Sequence, residues 1–249
     1  MLSINDLIGL LEGHFREISV KKSEDFVFSK RDEAFLIKKG EVLSYGKRNL
    51  TQLMGQNDPI GFSETILARD HTLRYRRVSD LEILGFSGSQ IRNEVNSAGV
   101  TIKSLIQYSL SRIFENKKSK SHQLFEEGFI HKNIKYLRTL KFDDGDYIFQ
   151  SGSPSRFMYF IDKGSIRLLT KNEKDFKVLN TGESFGEASL FLGQERELGA
   201  VAIGETTLHA IDADKVSPEI EKDSPLVQLS LFCVLKRLEL MNKLTAADG

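Results

Sequence analysis

The stretch Ser184–Ala202, SFGEASLFLGQERELGAVA, combines the end of a strand, a glycine and a short apolar run. Phe185 and Gly186 close a segment with strand character, and a glycine lets the backbone turn without a Cβ and approach a ligand closely. The apolar run from Glu187 to Leu192 is short, with a length consistent with about one helical turn. The stretch therefore predicts a strand, a tight turn and a short helix in succession.

The same residues have the chemistry of an anion site. The first amides of a helical turn have no intrahelical partner and lie at the positive end of the peptide dipoles, so Glu187, Ala188 and Ser189 would present N–H groups to a phosphate. Arg196 follows Glu187 by nine residues and can return a guanidinium to the same point. The Glu187 carboxylate would then accept a hydrogen bond from a sugar hydroxyl. A phosphate together with a ribose indicates a nucleotide.

The motif resembles the phosphate-binding cassette of cyclic-nucleotide-binding domains, as in bacterial cyclic AMP receptor proteins and protein kinase A regulatory subunits. The matching positions are Gly186-Glu187, Leu190-Phe191, Gly193 to Arg196 and Val201, with Gly145 to Phe149, Gly152, Tyr159 to Ile161 and Gly164 upstream. The resemblance covers residues 142–211 and implies a β jelly roll. It also implies Glu187 on the ribose 2′-hydroxyl, and Arg196 with the amides after Gly186 on the cyclic phosphate. The full predicted ligand-binding set is Phe185, Gly186, Glu187, Ala188, Ser189, Arg196, Glu197 and Leu198.

Two positions depart from the family pattern. Glu197 stands where the family usually has a small residue that meets the phosphate, and a carboxylate there costs energy unless it points to solvent. Gly199 stands where Thr or Ser often lies near the base. Cyclic AMP is the expected ligand, while cyclic GMP and a cyclic dinucleotide stay open. The alternative is a cassette that serves only as scaffold.

Residues in the first half of the sequence repeat the motif of the second half at a nearly constant offset in residue number. Gly40 matches Gly164 at 124, and Gly61 matches Gly186 at 125. Short apolar runs between Asp25 and Phe86 predict strands, at Phe26–Phe28, Phe35–Ile37, Val42–Leu43, Leu53–Met54 and Leu81–Leu84. The sequence therefore predicts an α+β, mainly β, fold of two tandem jelly-roll domains with flanking helices, residues 1–118 and 119–249.

The first copy has GFSETILARDHTL in place of the cassette. Its Glu64 follows Gly61 by three residues instead of one, and Arg69 and Arg74 are the arginines available for a phosphate. We expect this degenerate copy not to bind a nucleotide. The basic cluster Arg74–Arg77 is expected to be a strand with solvated arginines on one face.

Apolar periodicity predicts the flanking helices. The predicted segments are Ser3–Ile18 with Ser3 and Asp6 at its start, Ser87 to about His122, Phe125–Leu140 as the counterpart of the first, and a closing helix that begins near Ser224 and Pro225. Leu231, Val234, Leu238 and Met241 form one seam of the closing helix. In the family such a helix covers the nucleotide, and in several members it forms a homodimer with its twin. The simpler alternative is that it covers its own domain.

Composition narrows the functional class. The 249 residues carry 35 basic and 35 acidic side chains, so no global field favours DNA or a membrane. The single cysteine, Cys233, and the lack of a signal sequence or apolar span indicate a cytoplasmic protein. The histidines are scattered without metal-ligand spacing, and no nucleophile–base set stands out, so an enzyme is not expected. The histidines are His14, His71, His122, His131 and His209.

The sequence thus predicts a non-enzymatic cytoplasmic sensor. Its second domain is expected to bind a cyclic nucleotide and to transmit the bound state to a partner protein. The alternative is an interaction scaffold of two degenerate domains that bind no nucleotide.

Overall fold

The computed structural model describes residues 2–28, 31–45, 51–114, 130 and 137–246, with the backbone alone described at 189, 190 and 242–246. The predicted boundary between residues 118 and 119 lies outside the described residues. Most of the predicted Phe125–Leu140 segment also lies outside them, as does the end of the predicted helix that runs to His122.

Strands of the first half form two antiparallel sheets. They are β1 (Phe15–Val20), β2 (Glu33–Lys39), β3 (Val42–Tyr45), β4 (Thr51–Met54), β5 (Pro59–Ile60), β6 (Arg74–Arg77) and β7 (Leu81–Ser87). One sheet has the order β1-β7-β2-β5 and the other β4-β3-β6. Apolar side chains from both sheets, such as Phe35, Val42 and Ile83, share one core. In β6, Arg74 and Arg76 are exposed on one face, as predicted.

Strands of the second half form one six-stranded sheet. They are β8 (Arg138–Phe142), β9 (Tyr147–Phe149), β10 (Phe157–Leu169), β11 (Asp175–Asn180), β12 (Ser184–Phe185) and β13 (Gly199–Asp212). The main path is β11-β10-β13-β8, while β12 pairs with β10 and β9 with β13. Register shifts between Ile161 and Ser165 mark irregularities in the long strand β10. Such irregularities bend a strand, so β10 can follow a strongly curved sheet.

The described residues form seven helices, which lie before, between and after the strands. They are α1 (Ile4–Leu10), α2 (Phe62–Ile66), α3 (Gly88–Ser97), α4 (Val100–Phe114), α5 (Glu187–Phe191), α6 (Ala213–Ile220) and α7 (Pro225–Ala246). Ser3 and Asp6 form a reciprocal capping box at the start of α1, as the sequence predicts. Among the helices in the described ranges, none is long and apolar enough to cross a membrane.

Four local predictions were wrong. The helix predicted for Phe125–Leu140 does not extend to Leu140, because β8 begins at Arg138. The first helix ends at Leu10, because the chain turns through Gly13 (φ 86°) and continues as β1. Phe26–Phe28 forms no strand, although the rings of Phe26 and Phe28 pack edge to face. The helix predicted from Ser87 is two helices, since α3 ends at Ser97, and α4 starts only at Val100. The closing helix, α7, begins close to its predicted start. A helix that was not predicted, α6, precedes it.

Helix α7 lies between the two halves and packs on α1, α3 and α4. Its seam residues Leu231, Val234 and Leu238 are buried within this chain. They belong to a core cluster that includes Leu7 from α1 and Phe160 from β10. The largest apolar core is therefore shared by both halves, and α7 runs through it.

The C-terminal half of α7 also forms an ion pair with the first half. The Arg237 guanidinium lies 3.3 Å from the Glu64 carboxylate of α2 and 2.9 Å from the Thr72 hydroxyl. Both charged side chains are buried, at 4% and 0% exposure. Burial raises the pKa of Glu64, but Arg237 and the Thr72 hydroxyl outweigh it, so the pKa lies below its ordinary value of 4.5.

We predict that Arg237→Met destabilises the chain by about 3–5 kcal/mol, because it leaves the buried Glu64 carboxylate without a cation. Urea unfolding at pH 7 measures the loss. The double variant Arg237→Met/Glu64→Gln removes both charges and should recover most of it. Because the folded pKa of Glu64 is depressed, its contribution is present above about pH 4.5 and is lost as the pH falls through the folded pKa. An Arg237→Met variant as stable as the wild type would contradict this assignment.

Candidate functional site

Gly186 and Arg196 meet at the turn between β12 and α5. Gly186 has φ 84°, which favours glycine, and a Cβ at this position would lie 2.5 Å from the Arg196 Nη1 atom. Arg196 is itself fixed by its backbone, because its amide donates to Ser153 and its carbonyl accepts from Gly152. A glycine is therefore required here for two reasons, the backbone conformation and the close approach of the guanidinium.

The Arg196 side chain is buried among carbonyls and aromatic rings. Its Nη1 donates to the Gly186 carbonyl at 2.9 Å, and its Nη2 donates to the Phe157 carbonyl. The guanidinium carbon lies 4.2 Å from the centre of the Phe149 ring and 5.9 Å from that of Tyr159. Burial lowers the pKa of Arg196 below its ordinary value. An arginine nevertheless remains charged at neutral pH, so the site keeps a desolvated cation.

Glu187 is the acidic member of the site, and a helix of the first half holds it. The Arg112 guanidinium of α4 donates to Glu187 Oε1, and the two side chains are 12% and 2% exposed. Burial lowers the pKa of Arg112, but Glu187 outweighs it and raises this pKa above its ordinary value. Glu187 Oε2 is buried and has no hydrogen-bond partner among the described residues.

The Tyr108 side chain joins α4 to the strand that precedes the cassette. Its hydroxyl donates to the Ser184 carbonyl at 2.9 Å and accepts from the Ser184 amide at 2.6 Å. Tyr108 is buried, so these two bonds lie out of water. Helix α4 therefore fixes the backbone immediately before Phe185 as well as the Glu187 carboxylate.

One cavity brings most of the predicted set together. It holds about 70 Å³ and is lined by Phe185, Gly186, Glu187, Ala188, Arg196, Glu197 and Leu198, together with Arg112, Phe149, Leu168, Gln194, Glu195 and Glu239. Ser189 does not line it, and its side chain lies outside the described part of the chain. Glu197 is exposed to solvent, which is the orientation that limits its cost beside an anion.

Sequence reasoning missed the cavity residues that come from helices. Arg112 belongs to α4 and Glu239 to α7, so neither lies near the cassette in sequence. A signal was present, because Arg112 and Arg237 are separated by 125 residues, the same offset as Gly61 and Gly186. Aligning the helices at that offset would have marked both arginines as equivalent.

The turn at Gly61 repeats the geometry of the turn at Gly186. Gly61 has φ 81°, and a Cβ there would lie 2.6–2.7 Å from the His71 ring. His71 therefore occupies, in the first half, the place that Arg196 has in the second. The Arg69 guanidinium lies instead over the Phe114 ring at 4.3 Å, whereas Arg74 lines a neighbouring cavity.

The described residues contain neither a metal-binding cluster nor an exposed thiol. No group of three or more His, Cys, Asp or Glu side chains is arranged to hold a metal ion in the described ranges. Cys233 is buried in α7, and this burial raises the pKa of its thiol well above the ordinary value. A buried thiol of this kind behaves as a small apolar side chain.

Comparison with known proteins finds a matching family model for part of the second half. Residues 139–223 match the family model of the cyclic nucleotide-binding domain. The potassium/sodium hyperpolarization-activated cyclic nucleotide-gated channel 4 of Oryctolagus cuniculus is 29% identical over 119 residues. That match covers 47% of this chain but 10% of the channel, and the match to channel 2 of Mus musculus covers 14% of that protein. The chain thus spans about a seventh or less of these relatives.

The solved structures that resemble this chain include a regulatory domain and an enzyme. The regulatory domain of Toxoplasma gondii protein kinase A with cyclic AMP is 18% identical, with 100% of this chain and 91% of that chain covered and a TM-score of 0.35. The cyclic-AMP-bound EAL enzyme Bd1971 is 28% identical over 45% of this chain and 30% of that chain, with a TM-score of 0.40. The family match is confined to residues 139–223, and this range holds every cavity-lining residue from Phe149 to Leu198.

Proposed function

We propose that this chain is a non-enzymatic cytoplasmic sensor whose second half binds a cyclic nucleotide, with cyclic AMP the expected ligand. The observation that carries this proposal is that two buried side chains of opposite charge, Glu187 and Arg196, line one cavity beside the turn at Gly186. The match of residues 139–223 to the cyclic nucleotide-binding domain supports it.

Each charged residue has one role in this proposal. Glu187 Oε1 is held by Arg112, and Oε2, which has no other partner among the described residues, accepts the ribose 2′-hydroxyl. Arg196 contacts the cyclic phosphate and exchanges its bonds to the Gly186 and Phe157 carbonyls for charge-assisted ones. The amides of Ala188 and Ser189 complete the phosphate contacts.

Binding must also open the site. A cavity of about 70 Å³ is well below the roughly 300–1,000 Å³ of typical small-molecule sites. Glu239 of α7 and Arg112 of α4 line this cavity, so entry of a nucleotide would displace one or both helices. Because α4 and α7 pack on each other, the displacement would reach both halves and change the surface presented to a partner protein.

We further propose that the halves are two copies of one domain, with the first unable to bind a cyclic nucleotide. The matching turns at Gly61 and Gly186 and the replacement of the site arginine by His71 support this. The seam of α7 is already buried inside the chain, so we assign it to the contact between the copies rather than to a homodimer.

A second candidate is the interaction scaffold without nucleotide binding. The observation that favours it is Glu197, which lines the cavity beside Arg196 and would repel a phosphate if its side chain turned inward. Nucleotide binding and its dependence on Arg196 separate the two candidates.

We predict that cyclic AMP raises the thermal unfolding midpoint of the protein and that Arg196→Glu abolishes the effect. A ligand that binds only the folded state at a hundredfold excess over Kd stabilises it by about 2.7 kcal/mol. Cyclic GMP and cyclic di-GMP are measured in parallel to identify the ligand. Arg196→Gln is a milder variant, and Arg167→Glu, at an exposed arginine of the same sheet, is the control and should respond as the wild type does. No shift with any of the three ligands would favour the scaffold.

We predict that Glu197→Ala tightens cyclic nucleotide binding about two- to fivefold, because it removes an exposed negative charge beside the phosphate. Isothermal titration calorimetry at low and high salt measures the change. The gain should shrink at high salt, since salt screens exposed charges. Weaker binding by the variant would mean that Glu197 contacts the ligand favourably.

We predict that Arg112→Met lowers the affinity for cyclic AMP more than that for 2′-deoxy cyclic AMP. Arg112 holds the Glu187 carboxylate, so only the ligand with a 2′-hydroxyl depends on it. The ratio of the two dissociation constants should fall toward one in the variant. An equal loss for both ligands would show that Arg112 acts only on folding or on the phosphate.

A further inference from the structure

Three side chains join the second cassette (residues 184–202) to α7. Gln194 of the cassette donates to Glu239 Oε1 at 3.0 Å and accepts from Lys236 Nζ at 3.2 Å. These partners fix the orientation of the amide, because the reverse orientation would set its oxygen against an acceptor and its nitrogen against a donor. Lys236 and Glu239 also form an ion pair with each other, at 3.6 Å. We call these three residues the latch.

The latch forms part of the wall of the site cavity. Gln194 and Glu239 both line the cavity that contains Glu187 and Arg196. The cassette helix α5 also packs directly on α7. With this wall in place the cavity holds about 70 Å³, against the roughly 300–1,000 Å³ of small-molecule sites. The latch therefore holds α7 in a position that leaves no room for a nucleotide.

The same turn of α7 is held more firmly by the first half. Arg237, the neighbour of Lys236, pairs with Glu64 at 3.3 Å, and the two side chains are 4% and 0% exposed. Lys236 is 22% exposed, and the cassette offers it only a neutral amide. Water can replace an amide at a partly exposed site, whereas separating a buried ion pair leaves charges unpaired. The contact with the first half is therefore an anchor, and the latch is the weaker of the two contacts.

Helix α4 is bound to the second cassette by buried contacts. The Arg112–Glu187 pair and the two hydrogen bonds of Tyr108 with Ser184 hold it there. Helices α4 and α7 meet in the apolar core, where packed helices can slide past each other by small amounts. Opening of the latch would therefore move the cassette and α4 together relative to α7.

We propose that the latch of Gln194, Lys236 and Glu239 is an autoinhibitory contact that keeps the unliganded second cassette closed against α7. A ligand enters after the latch opens, and Arg237 keeps α7 on the first half while the cassette moves. The inference rests on the proposed function only for the nature of the ligand, a cyclic nucleotide. Because only open molecules bind, the closed fraction lowers the apparent affinity, and a weaker latch raises it.

The first experiment measures the latch without any ligand. Leu192, which follows α5, is half-buried and packs on the core that α7 shares. In the full chain with Leu192→Cys and Cys233→Ser, the single thiol reacts with iodoacetamide at a rate that follows the open population. Adding Gln194→Ala should raise this rate about fivefold or more, because both hydrogen bonds of the amide are lost. Gln150→Ala, at an exposed glutamine of the same half, is the control and should not change the rate.

The native thiol tests the anchor. Cys233 is the one cysteine of the chain and is buried in α7, where burial and then the Asp58 carboxylate of the first half raise the pKa of its thiol. In the protein that keeps Cys233, Gln194→Ala should leave the rate of its reaction with iodoacetamide unchanged, because α7 stays on the first half. A faster reaction of Cys233 in this variant would mean that α7 leaves both halves, which would overturn the role of Arg237 as anchor.

The second experiment measures cyclic AMP binding by stopped flow in the protein that keeps Cys233. Gln194→Ala should raise the association rate constant about fivefold or more and leave the dissociation rate constant near that of the wild type, since opening precedes binding. Faster dissociation would mean that Gln194 contacts the ligand, and it would overturn the proposal.

The two experiments separate failure of this proposal from failure of the proposed function. An unchanged reaction rate of the thiol introduced by Leu192→Cys, when Gln194→Ala is added, would overturn the latch whether or not a nucleotide binds. A raised rate in a protein that binds no cyclic nucleotide would support the latch and contradict the proposed function.

Discussion

The buried glutamate that follows each cassette glycine is positioned by an arginine from a helix of the other half. Glu187 of the second half is paired with Arg112 of α4, and Glu64 of the first half with Arg237 of α7. All four side chains are largely out of water, where an unpaired charge is expensive. Each half therefore buries a carboxylate whose ion-pair partner comes from a helix of the other half.

A buried ion pair adds little net stability compared with apolar residues of the same size, because the lost hydration offsets most of the attraction. Its effect here is positional. The arginine takes one carboxylate oxygen, and the other oxygen is buried without a hydrogen-bond partner among the described residues. The same two helices pack on each other, so the position of either carboxylate depends on how α4 and α7 are arranged. A ligand that contacts one glutamate therefore acts on an element shared by both halves.

The local sequence pattern was sufficient to predict the structure of the second cassette but not the residues that pack around it. The strand end at Phe185, the turn at Gly186 and the short helix after it follow from residue type and spacing, and the structure places them as predicted. Arg112 could not be assigned in this way, because a single arginine on an amphipathic helix is usually solvated. Only the packing of α4 against the second half turns it into a buried partner of Glu187.

The errors in the fold have similar causes. The run to Ile18 has helical periodicity, but the chain turns at Gly13, and β1 pairs with β7 in a register from Phe15 to Val20. Long-range pairing outweighed local propensity there. The position of His71 could not be predicted from the sequence either, since nothing local places its ring against Gly61.

The position of α7 has a consequence for the synthesis of the chain. Residues Leu226 to Leu238 complete the apolar core that begins with Ile4 and Leu7. During translation the apolar face of α1 lacks its final partner until α7, more than two hundred residues later in the sequence, has been synthesised. Contacts between residues so far apart in sequence slow folding and leave an apolar surface exposed meanwhile. A chain terminated before α7 would keep this surface exposed and would be prone to aggregate.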